Sequence, residues 1–192
     1  MSKVIILNGS PRKDGNSAAM CKFAEKYFKS RNIDTETFVV YDSTFSPCLG
    51  CDVCHDTDTQ ICVHQDSAAD IIGKMKASNG VFVALPLYSR ASPGSFKSLQ
   101  DRFYVEYNFA KNGFTKYTSP DKKLAIAITY GGSPDDVAET TCSNIAFAFQ
   151  DLGYGGTRFM LFGDQRHKNE FIQSKEQQES VEDALGWLAD TK

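Results

Sequence analysis

The sequence has few of the features that direct a protein to membranes or to nucleic acid. Its longest apolar runs fall far short of the roughly 20 residues that a membrane-spanning helix needs. It has no basic run, and its net charge of −3 gives no electrostatic preference for nucleic acid or an anionic membrane. No cleavable signal precedes the first predicted strand, so the expected location is the cytoplasm.

The chain contains six cysteines but lacks the features of a protein in which cysteines form a disulfide scaffold. Such scaffolds belong mainly to small secreted domains, and no secretory signal is present. Cys21 and Cys142 lie alone in helical patterns and are expected to be small buried apolar residues. The other four cysteines fall within a single loop, residues 45–64, and need a different explanation.

Five short apolar runs alternate with helical patterns along the chain: residues 4–7, 35–40, 80–85, 123–129 and 157–162. They are too apolar to be half-exposed, which predicts a parallel sheet with helices on both faces. Because crossovers between parallel strands are right-handed, few topologies remain. We predict a flavodoxin-like three-layer α/β sandwich with strand order 2-1-3-4-5. The length fits one such domain, residues 1–192.

The loop from Asn8 to Ser17 carries the strongest functional signal. It connects the first buried strand to a helix whose apolar residues recur at helical spacing. At such a junction, free backbone N–H groups and the helix macrodipole converge on one point and favour an anion. The side chains that would add donors or positive charge are Ser10, Arg12, Asn16 and Ser17.

The positions of the glycines limit the kinds of phosphate ligand that this loop could bind. Gly9 and Gly15 would permit backbone angles that other residues resist. Five residues separate them, where a Walker A loop has four, and Asn16 occupies the position of that motif's lysine. The dinucleotide pattern G-x-G-x-x-G is absent as well. The loop therefore suits a terminal phosphate monoester; the alternative is an ordinary strand-to-helix turn without a ligand.

The same loop resembles the FMN phosphate loop of the NAD(P)H-dependent FMN reductase family, whose members have a flavodoxin-like fold. The resemblance implies FMN as the cofactor, NAD(P)H as the co-substrate, and two further turns along the flavin ring. The matching residues are Pro86, Leu87, Tyr88, Ser89, Thr129, Tyr130, Gly131 and Gly132. Without a ligand, Tyr88 would pack on the sheet edge and the glycine pair would be a plain strand-to-helix turn. Lys97, Asp101 and Arg102 match another family pattern, which indicates packing rather than chemistry.

The cysteine loop, residues 45–64, resembles that of the iron–sulfur flavoproteins, a branch of the same family. Two-residue spacings bring thiolates to one side of a tight turn, and a fourth thiolate can complete a [4Fe–4S] site. The residues concerned are Cys48, Cys51, Cys54 and Cys62. The alternatives are a zinc site, a thiol–disulfide function and thiols without a cluster. The seven residues between Cys54 and Cys62 depart from ferredoxin spacing.

The predicted function is that of an FMN-dependent NAD(P)H oxidoreductase, with a quinone, nitro compound, flavin or protein as electron acceptor. No catalytic side chain is assigned, because the cofactor itself carries out hydride transfer. The alternative is an electron carrier without its own substrate turnover, of the iron–sulfur flavoprotein or flavodoxin type. An aromatic insert, residues 104–120, would wall the flavin ring in the same or a neighbouring subunit, so a homodimer or homotetramer is predicted. Apolar filler beneath a long loop is the alternative for this insert.

Overall fold

The computed structural model describes residues 3–56, 61–107 and 118–190. Its centre is a five-stranded sheet in the order β2-β1-β3-β4-β5, and each neighbouring pair is parallel. The strands are β1 (Lys3–Asn8), β2 (Asp34–Val39), β3 (Gly80–Pro86), β4 (Ser119–Thr129) and β5 (Tyr154–Phe162). This arrangement confirms the predicted flavodoxin-like topology.

Helices cover both faces of the sheet. They are α1 (Asn16–Ser30), α2 (Val53–Asp56), α3 (Ser67–Ala77), α4 (Gly94–Asp101), α5 (Asp135–Phe149), α6 (Glu170–Gln173) and α7 (Lys175–Ala189), with 3₁₀ turns at Val40–Asp42, Arg102–Glu106 and Gln150–Leu152. One core layer lies under α3, α4 and α5, and the other lies under α1 and α7. Within the described ranges, no helix is both long enough and apolar enough to cross a membrane.

Cys21 and Cys142 lie in these two core layers, which confirms their predicted burial. Their exposed fractions are 3% and 0%. Burial raises the pKa of both thiols, that of Cys142 to about 12. Both therefore behave as small apolar side chains at neutral pH.

Gly9 is required for close packing rather than for its backbone angles. Among the described glycines, a positive φ occurs at Gly50 and Gly153, so the conformational reason predicted for Gly9 and Gly15 is wrong. A Cβ atom on Gly9 would lie 2.9 Å from the Cβ of Leu85. The N–H of Gly9 donates to the carbonyl of Ala84 at 2.9 Å, which holds the start of the loop against β3.

The predicted aromatic insert, residues 104–120, is described only in part. Tyr104 and Tyr107 stack with ring centroids 6.4 Å apart. Phe109, Phe114 and Tyr117 lie outside the described residues. The predicted role of the insert over the flavin ring and between subunits stays a prediction.

Candidate functional site

A cleft of about 270 Å³ opens at the carboxyl ends of β1, β3 and β4. Three loops that the sequence singled out meet there, since parallel strands all end at the same edge of a sheet. The predicted residues that line it are Ser10, Arg12, Asn16, Ser17, Pro86, Leu87, Tyr88, Thr129, Tyr130 and Gly131. Ser89 and Gly132 do not line the cleft; each is exposed and directly follows a lining residue, Tyr88 or Gly131.

The loop after β1 is shaped by short-range hydrogen bonds. The Oδ1 of Asn8 accepts from the N–H of Ser10 at 3.0 Å, and the Oγ of Ser10 accepts from the N–H of Arg12 at 3.1 Å. α1 then begins with Gly15 as its N-cap residue, and no side chain in the described ranges caps it. The first N–H groups of the helix and its positive dipole end are therefore available to an anion.

Hydroxyl groups lie buried beside this helix start. Ser10, Ser17 and Thr129 are 3%, 2% and 7% exposed. The Oγ of Ser17 lies 3.3 Å from the Oγ1 of Thr129, a hydrogen bond that links α1 to the end of β4. Because either atom can donate, these hydroxyls can reorient toward a ligand oxygen.

Asn16 has a contact that the sequence did not predict. Its Nδ2 donates to the Oε1 of Gln165 and to the carbonyl of His167, both at 2.9 Å. Its Oδ1 accepts from the N–H of Phe171 at 3.4 Å. The carboxamide thus ties the start of α1 to the loop after β5. Its role as a donor to phosphate stays a prediction.

The loop after β5 forms a fourth wall of the cleft that sequence reasoning missed. Gln165, Arg166, His167 and Lys168 line it. The Nζ of Lys168 lies 2.5 Å from Asp14, and this hydrogen bond lowers the pKa of the Asp14 carboxyl. The sequence offered only a weak signal for this wall: Arg166 and Lys168 lie four and six positions after Phe162, the end of β5, and no spacing motif marks them.

The turn after β3 is held in a strained hairpin. Tyr88 and Ala91 exchange two backbone hydrogen bonds, at 2.9 and 3.0 Å. Between them, Ser89 and Arg90 have φ angles of 50° and 64°, a conformation that side chains other than glycine seldom adopt. The N–H of Leu87 donates to the carbonyl of Thr129 at 2.8 Å, so the second and third loops form one wall. Strain of this kind concentrates at binding sites.

Tyr130 is buried, and its hydroxyl donates to Asp135 at 2.5 Å. Burial and this carboxylate raise the pKa of Tyr130 to about 12. Next along the chain, a Cβ atom on Gly131 or Gly132 would find no atom within 4 Å. The backbone beside Tyr130 is therefore open to the approach of a flat ligand.

The four cysteines of the cysteine loop surround one small cavity of about 20 Å³. Cys54 is nearly buried, Cys48 and Cys62 are half-buried, and Cys51 is exposed. Burial raises the pKa of Cys54, and the neighbouring Cys62, Cys48 and Cys51 raise it further. All six cysteines are free thiols. In the described ranges, no three or more His, Cys, Asp or Glu side chains are arranged to hold a metal ion.

Comparison with known proteins places this geometry in a family. Residues 2–148 match the family described as NADPH-dependent FMN reductase. The iron–sulfur flavoprotein of Methanosarcina thermophila is 32% identical over 145 residues, which cover 74% of this chain and 70% of the relative. An iron–sulfur flavoprotein of Methanocaldococcus jannaschii is also 32% identical, over 143 residues that cover 74% and 69%.

Solved structures share the fold at low sequence identity. The FMN-dependent NADH-azoreductase of Bacillus anthracis, in complex with FMN, has a TM-score of 0.73 and 17% identity, and the match covers 99% of this chain and 100% of that one. The NAD(P)H:quinone oxidoreductase of Methanothermobacter marburgensis has a TM-score of 0.73 and 13% identity, with coverage of 100% and 98%. The family match and the iron–sulfur flavoprotein relatives confirm the resemblance seen in the phosphate and cysteine loops. The chain belongs to the NADPH-dependent FMN reductase family and is an oxidoreductase.

Proposed function

We propose that the protein binds FMN, takes electrons from NAD(P)H and passes them to a quinone, a nitro compound, a free flavin or a protein acceptor. The observation that carries this proposal is the meeting of three predicted loops in one cleft at the carboxyl ends of β1, β3 and β4. In a doubly wound sheet, ligands bind at this edge. Family membership supports FMN as the ligand.

The phosphate of FMN fits the end of the cleft beside α1. The uncapped helix start supplies N–H groups, and the buried Ser10 and Ser17 supply hydroxyls. Arg12, Arg166 and Lys168 add positive charge to the lining. Charge-assisted hydrogen bonds of this type are among the strong ones in proteins. We assign Ser10, Arg12, Asn16 and Ser17 to the phosphate, with Asn16 also fixing the loop after β5.

The flavin ring fits the wall formed by the turns after β3 and β4. The hairpin at Tyr88 and the hydrogen bond from Leu87 to Thr129 hold that wall rigid. The open backbone at Gly131 and Gly132 gives N–H groups that can approach the ring. We assign Pro86, Leu87, Tyr88, Ser89, Thr129, Tyr130, Gly131 and Gly132 to the ring.

Bound FMN would supply the redox chemistry, since it can accept a hydride from NAD(P)H and then give up two electrons. The residues of the chain would bind the phosphate, orient the ring and leave one ring face accessible to nicotinamide and acceptor. No side chain is assigned to proton transfer at the hydride step.

A steady-state assay tests the proposal. Protein loaded with FMN should oxidise NADH or NADPH with menadione or ferricyanide as acceptor. A flavin-loaded sample that oxidises neither nucleotide with either acceptor would reject the reductase and favour an electron carrier. The double variant Ser10→Ala/Ser17→Ala should bind FMN more weakly, whereas the matched double variant Ser30→Ala/Ser180→Ala, on exposed helix surface, should not.

We also propose that the cysteine loop holds a [4Fe–4S] cluster, which would let the flavin exchange single electrons with a partner. The donor set supports it, because four thiols from one loop surround one cavity. Zinc is the lesser alternative, because zinc sites usually draw paired ligands from two separate segments, whereas these four thiols lie in one loop.

The cavity has room for about one water molecule, so loading the cluster requires the loop to open outward. The exposed position of the loop allows this, since Leu49 is 64% exposed. Anaerobic reconstitution with iron and sulfide should give about four irons per chain. Less than about one iron per chain in such a sample would reject the cluster.

A homodimer or homotetramer is our proposal for the assembly, with the insert at residues 104–120 at the subunit contact. Light scattering on the purified protein gives the mass directly. The mass of a single chain at micromolar concentration would reject it.

A further inference from the structure

Arg102 is a buried charge in direct contact with the cysteine loop. It follows α4 and opens the 3₁₀ turn Arg102–Glu106, and it is 3% exposed. Its Nη1 donates to the carbonyl of Ser46 at 3.0 Å and to Oδ2 of Asp66 at 2.8 Å. Its Nη2 donates to Sγ of Cys62 at 3.3 Å and to the carbonyl of His64 at 2.8 Å.

These contacts connect the two ends of the cysteine loop. Ser46 precedes the first of the four cysteines, and His64 follows the last. A planar guanidinium with several fixed N–H donors can reach all of these acceptors at once, whereas the ammonium of a lysine cannot match that geometry.

The guanidinium is itself held by a regular element. Asp66 caps α3, because its Oδ1 accepts from the N–H groups of Ala68 and Ala69 at 3.1 and 3.3 Å. Its other oxygen pairs with Arg102. The charge is thus held between the end of α4 and the start of α3 by one partner, Asp66, that lies outside the cysteine loop.

Among the four proposed cluster ligands, Cys62 most needs such support. Cys48, Cys51 and Cys54 are brought together by two-residue spacings, but seven residues separate Cys54 from Cys62. The spacing therefore leaves the position of Cys62 undetermined. The contact from Arg102 supplies the constraint that the sequence interval does not.

We propose that Arg102 is the positioning residue of the iron–sulfur site, where it holds Cys62 in place and donates a charge-assisted N–H···S hydrogen bond to its sulfur. The inference rests on the cluster proposed above. Hydrogen bonds to the sulfurs and positive charge nearby stabilise the added electron of a reduced cluster. Arg102 therefore raises the reduction potential of the site as well as its affinity for iron.

The experiment compares wild-type protein with Arg102→Lys and Arg102→Met after anaerobic reconstitution with iron and sulfide. Iron retained under increasing chelator and the midpoint potential from a spectroelectrochemical titration are measured. We expect iron affinity to fall by about tenfold or more in both variants, as is typical when a residue that supports a metal ligand is lost. We also expect the residual cluster to have a lower potential, with Arg102→Met the more affected because it loses the charge too.

Lys97→Met is the matched control, because Lys97 lies on α4 and pairs with Asp101 away from the cysteine loop. It should retain wild-type iron affinity and potential. Arg102 does not line the flavin cleft, so its substitution should leave FMN binding unchanged. FMN binding by each variant therefore tests whether the fold is intact.

Two results would overturn the inference, and they are distinct. Wild-type protein that takes up iron and sulfide, beside variants with unchanged iron retention and potential, would reject the role of Arg102 and leave the cluster standing. Wild-type protein that acquires no cluster would reject both the cluster and this role of Arg102. It would not affect the proposal of FMN binding and NAD(P)H oxidation, which the separate steady-state assay tests.

Discussion

At the scale of single residues, the cleft depends on polar side chains whose partners come from distant parts of the chain. Asn16 is an example, because its neighbours Gln165 and His167 are about 150 positions away. The sequence identified Asn16 correctly as part of the loop, but the local pattern carries no information about these partners. Its carboxamide bonds follow from the fold that brings β5 beside β4.

Asn16→Asp tests this contact. The new carboxylate would face three acceptors, including Oε2 of Glu170, which lies 3.4 Å from the present Nδ2. We expect the FMN-free protein to lose about 1–3 kcal/mol of unfolding free energy, the cost of leaving buried polar groups unpaired. Adding Glu170→Gln should restore part of it by replacing one acceptor with a donor. Chemical denaturation without FMN measures both effects, and unchanged stability in Asn16→Asp would contradict the contact.

Gly9→Ala tests close packing under the phosphate loop. The added methyl would lie 2.9 Å from the Cβ of Leu85 and 3.2 Å from Cδ2 of Phe96. Overpacking of this kind costs about 1–3 kcal/mol. Gly73→Ala is the control, and it should change stability in the opposite direction. Gly73 lies within α3 with open space around it, so the variant should gain about 0.5–1 kcal/mol of unfolding free energy. Equal denaturation midpoints for Gly9→Ala and wild type would show that the loop can relax freely.

At the scale of elements, charged pairs join two neighbouring strands to each other and to a helix. Glu36 on β2 lies 2.6 Å from Lys3 on β1 and 2.5 Å from Lys74 on α3. Hydrogen bonds from Lys3 and then Lys74 lower the pKa of Glu36 below its ordinary value of 4.5. A carboxyl group with a lowered folded-state pKa adds stability above its unfolded-state pKa and loses it as the pH falls through the folded value.

Glu36→Gln should therefore destabilise the protein at pH 7 and have little effect in acid below the lowered pKa of Glu36. Urea denaturation of wild type and variant at both pH values checks this. A difference between the two proteins that does not shrink in acid would show that the ion pairs contribute nothing through charge.

At the scale of the whole molecule, the sequence was sufficient for the architecture and for most of the cleft. The five apolar runs determined the strands, and the rule that ligands bind at the carboxyl edge brought three loops together correctly. The loop of Gln165 to Lys168 was missed because its polar sequence has no spacing signature. A packing role was expected for Arg102, but its contact with Cys62 was not predicted, since an arginine on a predicted helix gives no sign of meeting a cysteine 40 positions away. The division of the chain into one domain stays a prediction.

The most direct test of the central claim compares the binding of FMN and riboflavin to the flavin-free protein. Riboflavin has the same ring but lacks the phosphate, and hydrogen bonds to a charged group contribute about 1.5–3 kcal/mol each. Fluorescence titration should show FMN binding at least about tenfold more tightly than riboflavin. Equal affinities would contradict the assignment of the Asn8–Ser17 loop to the phosphate.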